Sequence, residues 1–186
     1  MSVEFTFKVP NLAKIVRAHK DEIMLFLAAN IQTNRAMLFT HSGEYNGHKK
    51  WDPLKFRDGQ PLMKSGALKN SMGPSNSGNQ PSIREGTLFM YTGNKITIGS
   101  NLAYARTMND GTTKMPGGVI RPKSAQALKI PTGGKVIAGK DGKKRNFIFR
   151  KSVRIPARRF DDWTPEDAEE LNIALRNKIA KVLSGG

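Results

Sequence analysis

The sequence predicts a single α+β domain, a long N-terminal helix and a C-terminal helix packed on an antiparallel sheet, with long loops and a protruding basic hairpin. Three observations predict it. Apolar residues alternate over 3–9 and then recur at helical steps of three and four after Asn11. Two pairs of strand-like runs each bracket a short turn, one containing Gly93-Asn94 and the other Asp141-Gly142. A full set of helix-start signals stands at Thr164, Pro165 and Asp167. A chain of 186 residues suits one domain, and one of that size buries roughly 70% of its unfolded surface.

Val3, Phe5, Phe7 and Val9 mark one face of a first strand that stops at Pro10. The helix that follows spans 11–38, with Leu12, Ile15, Val16, His19, Ile23, Phe26, Leu27, Ile31 and Leu38 on its apolar face. His19 falls on that face, and a lone histidine there reads as a hydrogen-bonded core residue rather than a ligand. Residues 40–62 hold Gly43, Gly47, Pro53, Gly59 and Pro61 without a sustained period, so they form an irregular crossing pinned by Trp51 and Leu54. A short helix covers 64–72. Residues 73–82 offer no large apolar side chain to repay their ordering entropy, so the loop 73–86 is expected to be mobile in the free protein.

Residues 88–91 and 95–98 read as a hairpin, and a short helix runs from an Asn101 N-cap to about Asn109, with Gly111 as its stop. Residues 127–130 form a strand. Residues 135–138 and 146–153 then pair as a second hairpin around Asp141-Gly142, with 132–146 a mobile arm. Lys135, Lys140, Lys143, Lys144, Arg145, Arg150 and Lys151 face a single acid there, Asp141. The last helix, 164–183, buries Ala168, Leu171, Leu175, Ile179 and Val182. Its acids Glu166, Asp167, Glu169 and Glu170 near the start and Lys178 and Lys181 near the end suit the helix dipole.

Composition narrows the chemistry. Without cysteine there is no disulfide, thiolate metal site or cysteine nucleophile. The start of the chain has no targeting pattern, and no apolar run approaches the ~18 residues of a membrane span. The sequence therefore predicts a soluble chain of a reducing compartment, with no membrane partner. Lys and Arg total 31 against 15 acids, a formal charge of +16, which points to a polyanion or an acidic protein surface.

Catalytic patterns are missing. His19, His41 and His48 do not share the spacing of ligands on one helix face, although His41 and His48 share a polar loop with Glu44. No Walker loop, dinucleotide fingerprint or GxSxG elbow occurs, and Thr132-Gly133-Gly134-Lys135 is only a fragment of a phosphate loop. Asp161 and Asp162 are the nearest thing to a carboxylate pair for a metal-dependent nuclease. Placed just before a helix, they read first as capping charges. The expectation is a protein that is not an enzyme and has no catalytic, cofactor or metal residues.

Four patches in order resemble the virion morphogenesis, or tail-completion, family of Mu-like tailed phages, over about residues 51–183. They are Trp51-Asp52-Pro53-Leu54; Met63-Lys64-Ser65-Gly66-Ala67-Leu68-Lys69-Asn70-Ser71; Ile98-Gly99-Ser100-Asn101-Leu102-Ala103-Tyr104-Ala105, with Asn109 and Gly111; and Ile155-Pro156-Ala157-Arg158-Arg159-Phe160. The chain departs from the family where Asp161-Asp162 stand in place of the more usual Leu-Gly.

The resemblance implies a structural virion protein of the neck, joining tail to head as a closed ring of six and assembled in the host cytoplasm. Its partners would be other copies of itself, the head–tail connector and the tail terminator or tube, with packaged DNA nearby. On that expectation the interface residues are Lys140, Lys143, Lys144, Arg145, Arg150, Lys151, Arg158, Arg159, Trp51 and Tyr104. The alternative is a basic nucleic-acid-binding module, in which the same cations neutralise phosphates beside Phe147 or Phe149.

Overall fold

The computed structural model describes residues 2–6, 17–54, 59–62, 65–72, 81–93, 95–113, 115–123, 126–132, 136–138 and 143–184, the first five as backbone only. The parts of the predicted strand and helix over 7–16 lie outside these, as do 73–80 of the first loop and 133–135 and 139–142 of the second. The architecture is the expected single-domain α+β.

β1 (Ser2–Thr6), β2 (Thr87–Thr92) and β3 (Lys95–Ser100) form an antiparallel sheet in the order β1-β3-β2. The register sets Val3 and Phe89 beside Ile98, and Phe5 and Tyr91 beside Ile96. Since strand side chains alternate between faces, this places Ile96 and Ile98 together on the face that meets α1 (Lys20–Thr40). There they join Ile23, Met24, Leu27, Ala28 and Ile31 of α1 and Leu171 of α4 (Pro165–Leu183) in a first core, edged by Phe89, Tyr91, Trp163, Leu175 and Ile179.

A second core lies around the C-terminal end of α1. Leu38 and Phe39 pack with Trp51, with Leu68 and Met72 of α2 (Ala67–Met72), with Ala105 of α3 (Ala105–Asp110) and with Phe160. The Phe39 ring meets Trp51 edge-on at 5.4 Å and Phe160 at 5.5 Å. α1 thus serves both cores, and burying each large side chain contributes about 1.5–3 kcal/mol. The helix ends where the Gly43 N–H returns to the Leu38 carbonyl at 2.7 Å. Gly43 is at φ +92°, and a Cβ there would lie 2.6 Å from Trp51 Cδ1. Only glycine fits both the backbone and the indole.

Three expectations need correction. α1 begins its buried stripe at Ile23, so His19 is on the surface, 3.0 Å from Glu22. α3 starts at Ala105 rather than Asn101, because the Asn101 N–H still bonds the Gly86 carbonyl as a continuation of the β2–β3 pairing. The second hairpin pairs differently as well. β4 (Leu128–Pro131) takes β7 (Phe147–Arg150) as its partner, while β5 (Ile137–Ala138) pairs only with β6 (Lys144–Arg145). The result is a short inner ribbon nested in an outer one, and an Ile120–Val153 bridge ties the base. Neither core cluster includes a described residue between Met108 and Phe160.

Candidate interaction surface

Two buried polar hubs hold the body together and decide which residues remain for function. The first is at the start of α4. Thr164 caps it, its hydroxyl accepting from the Asp167 N–H at 3.1 Å while the Asp167 carboxylate accepts from the Thr164 N–H at 3.4 Å. The same Asp167 Oδ2 takes Arg35 Nη2 at 2.9 Å and lies 2.7 Å from His48 Nε2. Arg35 also donates to the Asp162 carbonyl at 2.7 Å and lies 4.6 Å over the Trp163 ring.

Burial pushes the Asp167 carboxyl up. The His48 hydrogen bond, the Arg35 and His48 charges and the Thr164 N–H together outweigh it and hold the group below the ordinary carboxylate range. Burial in turn lowers Arg35, with the Asp167 charge and hydrogen bond opposing it. An Asp–His pair is also the raw material of general-base catalysis. Here the two side chains are 1% and 6% exposed and the carboxylate oxygen that meets His48, Oδ2, also takes Arg35 and the Thr164 N–H, so the pair reads as a strut. Asp161 and Asp162 do not cap the helix with their side chains. The Asp161 N–H bonds the Asn109 side chain, burial raises the Asp161 carboxyl, and Asp162 serves through its carbonyl.

The second hub is Asn109. Its Oδ1 accepts from the Phe160 and Asp161 N–H groups at 3.0 and 3.3 Å, and its Nδ2 donates to Asp110 Oδ1 at 2.9 Å. Asp110 in turn pairs with Arg159 at 3.0 Å. Gly111, at φ +69°, lets the 155–157 backbone pass so closely that a Cβ would sit 2.6 Å from the Ala157 nitrogen. The last two patches of the resemblance, one through Asn109 and Gly111 and the other through 155–160, therefore meet in one joint.

These hubs sort the interface candidates. Trp51 is buried in the second core and donates to the Arg159 carbonyl at 3.2 Å. Arg158 is 4% exposed and donates to the Asp52 carbonyl. Both are interior struts rather than surface groups, which corrects their place among the interface residues. Arg159 is half-buried, and Tyr104 is exposed at the N-cap of α3.

Lys143, Lys144, Arg150 and Lys151 are exposed on the ribbons with Arg145 half-buried beside them, while Lys140 lies outside the described residues. The pairing adds residues that the sequence reading missed. The Ile120–Val153 bridge sets Arg121 and Lys123 alongside Lys151 and Arg154, and Lys129 stands opposite Phe149. Lys129 Nζ lies 4.2 Å over the Phe147 ring, which meets Phe149 edge-on at 5.3 Å, and Phe149 is 54% exposed. A running charge count would have found this surface. Residues 111–160 hold 14 Lys and Arg and one acid, Asp141, whereas six of the 15 acids fall within 161–170.

No protein-family model, curated protein or solved structure matches the chain. Among the described residues, no three His, Asp or Glu side chains gather in a way that could hold a metal ion, and no helix is long and apolar enough to cross a membrane.

Proposed function

We propose that the chain is a structural virion protein of a tailed phage, a tail-completion or neck component that joins tail to head through a ring, and that it is not an enzyme. One observation carries the reading. No described residue of the nested ribbons joins either core, yet the stretch that carries them holds the chain's main concentration of positive charge. A segment that is not needed to bury apolar surface, and whose like charges repel one another, gains most of its worth from a partner. Ring closure requires unlike patches on neighbouring subunits, and the chain separates its cations on the ribbons from the acids at the start of α4. The ribbons meet acidic surfaces of the neighbouring subunit, connector or tail, at the tail–head junction of the virion. The resemblance around Asn109, Gly111 and 155–160 supports the same reading.

The test is particle joining. The intact protein is mixed with purified tails and DNA-filled heads of the phage that encodes it, beside a variant in which residues 133–145 are replaced by an Asn-Gly turn. The reading expects the intact protein to sediment with one of the particles and the folded variant to stay behind. Equal joining by both, or joining by neither, would overturn it.

A further inference from the structure

The pairing of distant segments creates a cationic surface with a second use. We infer that the base of the ribbons, formed by Arg121, Lys123, Lys129, Lys144, Lys151 and Arg154, docks the phosphate backbone of duplex DNA without regard to sequence. All six side chains are exposed. The β4–β7 register and the Ile120–Val153 bridge gather five of them from three stretches of chain, and Lys144 follows on the adjoining inner ribbon. This goes beyond the assembly reading, because it needs only the surface of one copy.

Three features favour a nucleic acid over an acidic protein. The stretch 111–160 from which the surface is drawn holds 14 Lys and Arg and one acid, Asp141, in sequence. Four of the six named cations are lysines, which protein–protein interfaces tend to exclude, whereas nonspecific phosphate binding uses them freely. A two-stranded ribbon also matches the width of a DNA major groove. Single strands are recognised mainly by stacking bases on open aromatic faces. Here Lys129 covers the Phe147 ring, which meets Phe149 edge-on, and Phe149, 54% exposed, offers a single face rather than a row of them, so the duplex backbone is the better fit.

The experiment is fluorescence anisotropy of a short labelled duplex titrated with the full chain across about 50–200 mM salt. Each phosphate neutralised contributes about −0.9 to the slope of log affinity against log salt. Two triple variants of equal net charge are compared, Lys129→Gln/Lys151→Gln/Arg154→Gln on the ribbon base and Lys49→Gln/Lys50→Gln/Lys181→Gln elsewhere. A double variant, Lys151→Gln/Arg154→Gln, leaves the Lys129–Phe147 contact intact and covers any loss of folding in the first. The expected result is salt-dependent binding whose slope flattens by about 2–3 in the ribbon triple and by about 2 in the double, with little change in the distant triple. Four results would overturn the inference: no binding at the lowest salt, equal losses in both triples, displacement of DNA by polyglutamate at the same charge concentration, or tighter binding to a single strand that Phe149→Ala removes. Because the readout is binding to a free duplex with no particle present, its failure leaves particle joining untouched.

Discussion

Three donors, from Arg35, His48 and the Thr164 backbone, converge on one oxygen of Asp167, and removing that charge strands Arg35 in the interior. Asp167→Asn is expected to cost about 3–5 kcal/mol in urea unfolding, against about 1 kcal/mol for Thr164→Ala, which loses only the cap. The pH dependence follows from the direction of the Asp167 shift. A carboxyl held below its unfolded value contributes its full stability above about pH 4 and loses it as pH falls through the lowered folded value. Urea midpoints measured at falling pH should therefore drop in the intact protein, and this acid limb should flatten in Asp167→Asn. Asn109→Ala should cost about 1–3 kcal/mol for each of the Phe160 and Asp161 N–H groups left without its acceptor. The cap itself was legible in the sequence, because Thr164, Pro165 and Asp167 lie within one turn. Its partners were not, since Arg35 is 132 residues away and His48 is 119. Periodicity carried the stripe back through His19 to Leu12 because nothing local marks where tertiary contact begins.

The helices and the β2–β3 hairpin were readable because their signals are local, in the apolar spacing of α1 and α4 and the Gly93-Asn94 turn. The ribbons were half-readable. The strand-like runs were visible, but the choice of partner for 147–150 rests on pairing across a long connection, and alternation alone does not rank the two options. Because no described residue of the ribbons joins either core, exchanging residues 133–145 for an Asn-Gly turn after Thr132 should move the thermal midpoint by no more than about 4 °C, read by circular dichroism. Gly43→Ala should do more. Its backbone is at φ +92° and its Cβ would press on Trp51, so a loss of about 1–3 kcal/mol is expected in the same assay.

Across the whole molecule, charge and core are divided. α1 joins two apolar clusters, six of the 15 acids fall within 161–170 at the start of α4, and 14 of the 31 Lys and Arg fall in 111–160, whose described ribbon residues join neither cluster. The sequence showed the excess of charge and the basic arm. It did not show that Arg121 and Lys123 join Lys151 and Arg154, which the Ile120–Val153 bridge and the Thr112–Ile155 hydrogen bonds bring about. Such a division suits a subunit that meets its neighbours through unlike surfaces. The contact proposed for the ribbons is one between charges, so added salt should weaken it as the Debye length shortens to about 8 Å at physiological ionic strength. The most direct measurement is the mass of the purified protein by light scattering over a rising concentration series, at low and at moderate salt. The account predicts a closed oligomer of one discrete size that grows with concentration and recedes as salt is added. A monomer at every concentration and both salts, or an open series of ever larger species, would contradict it.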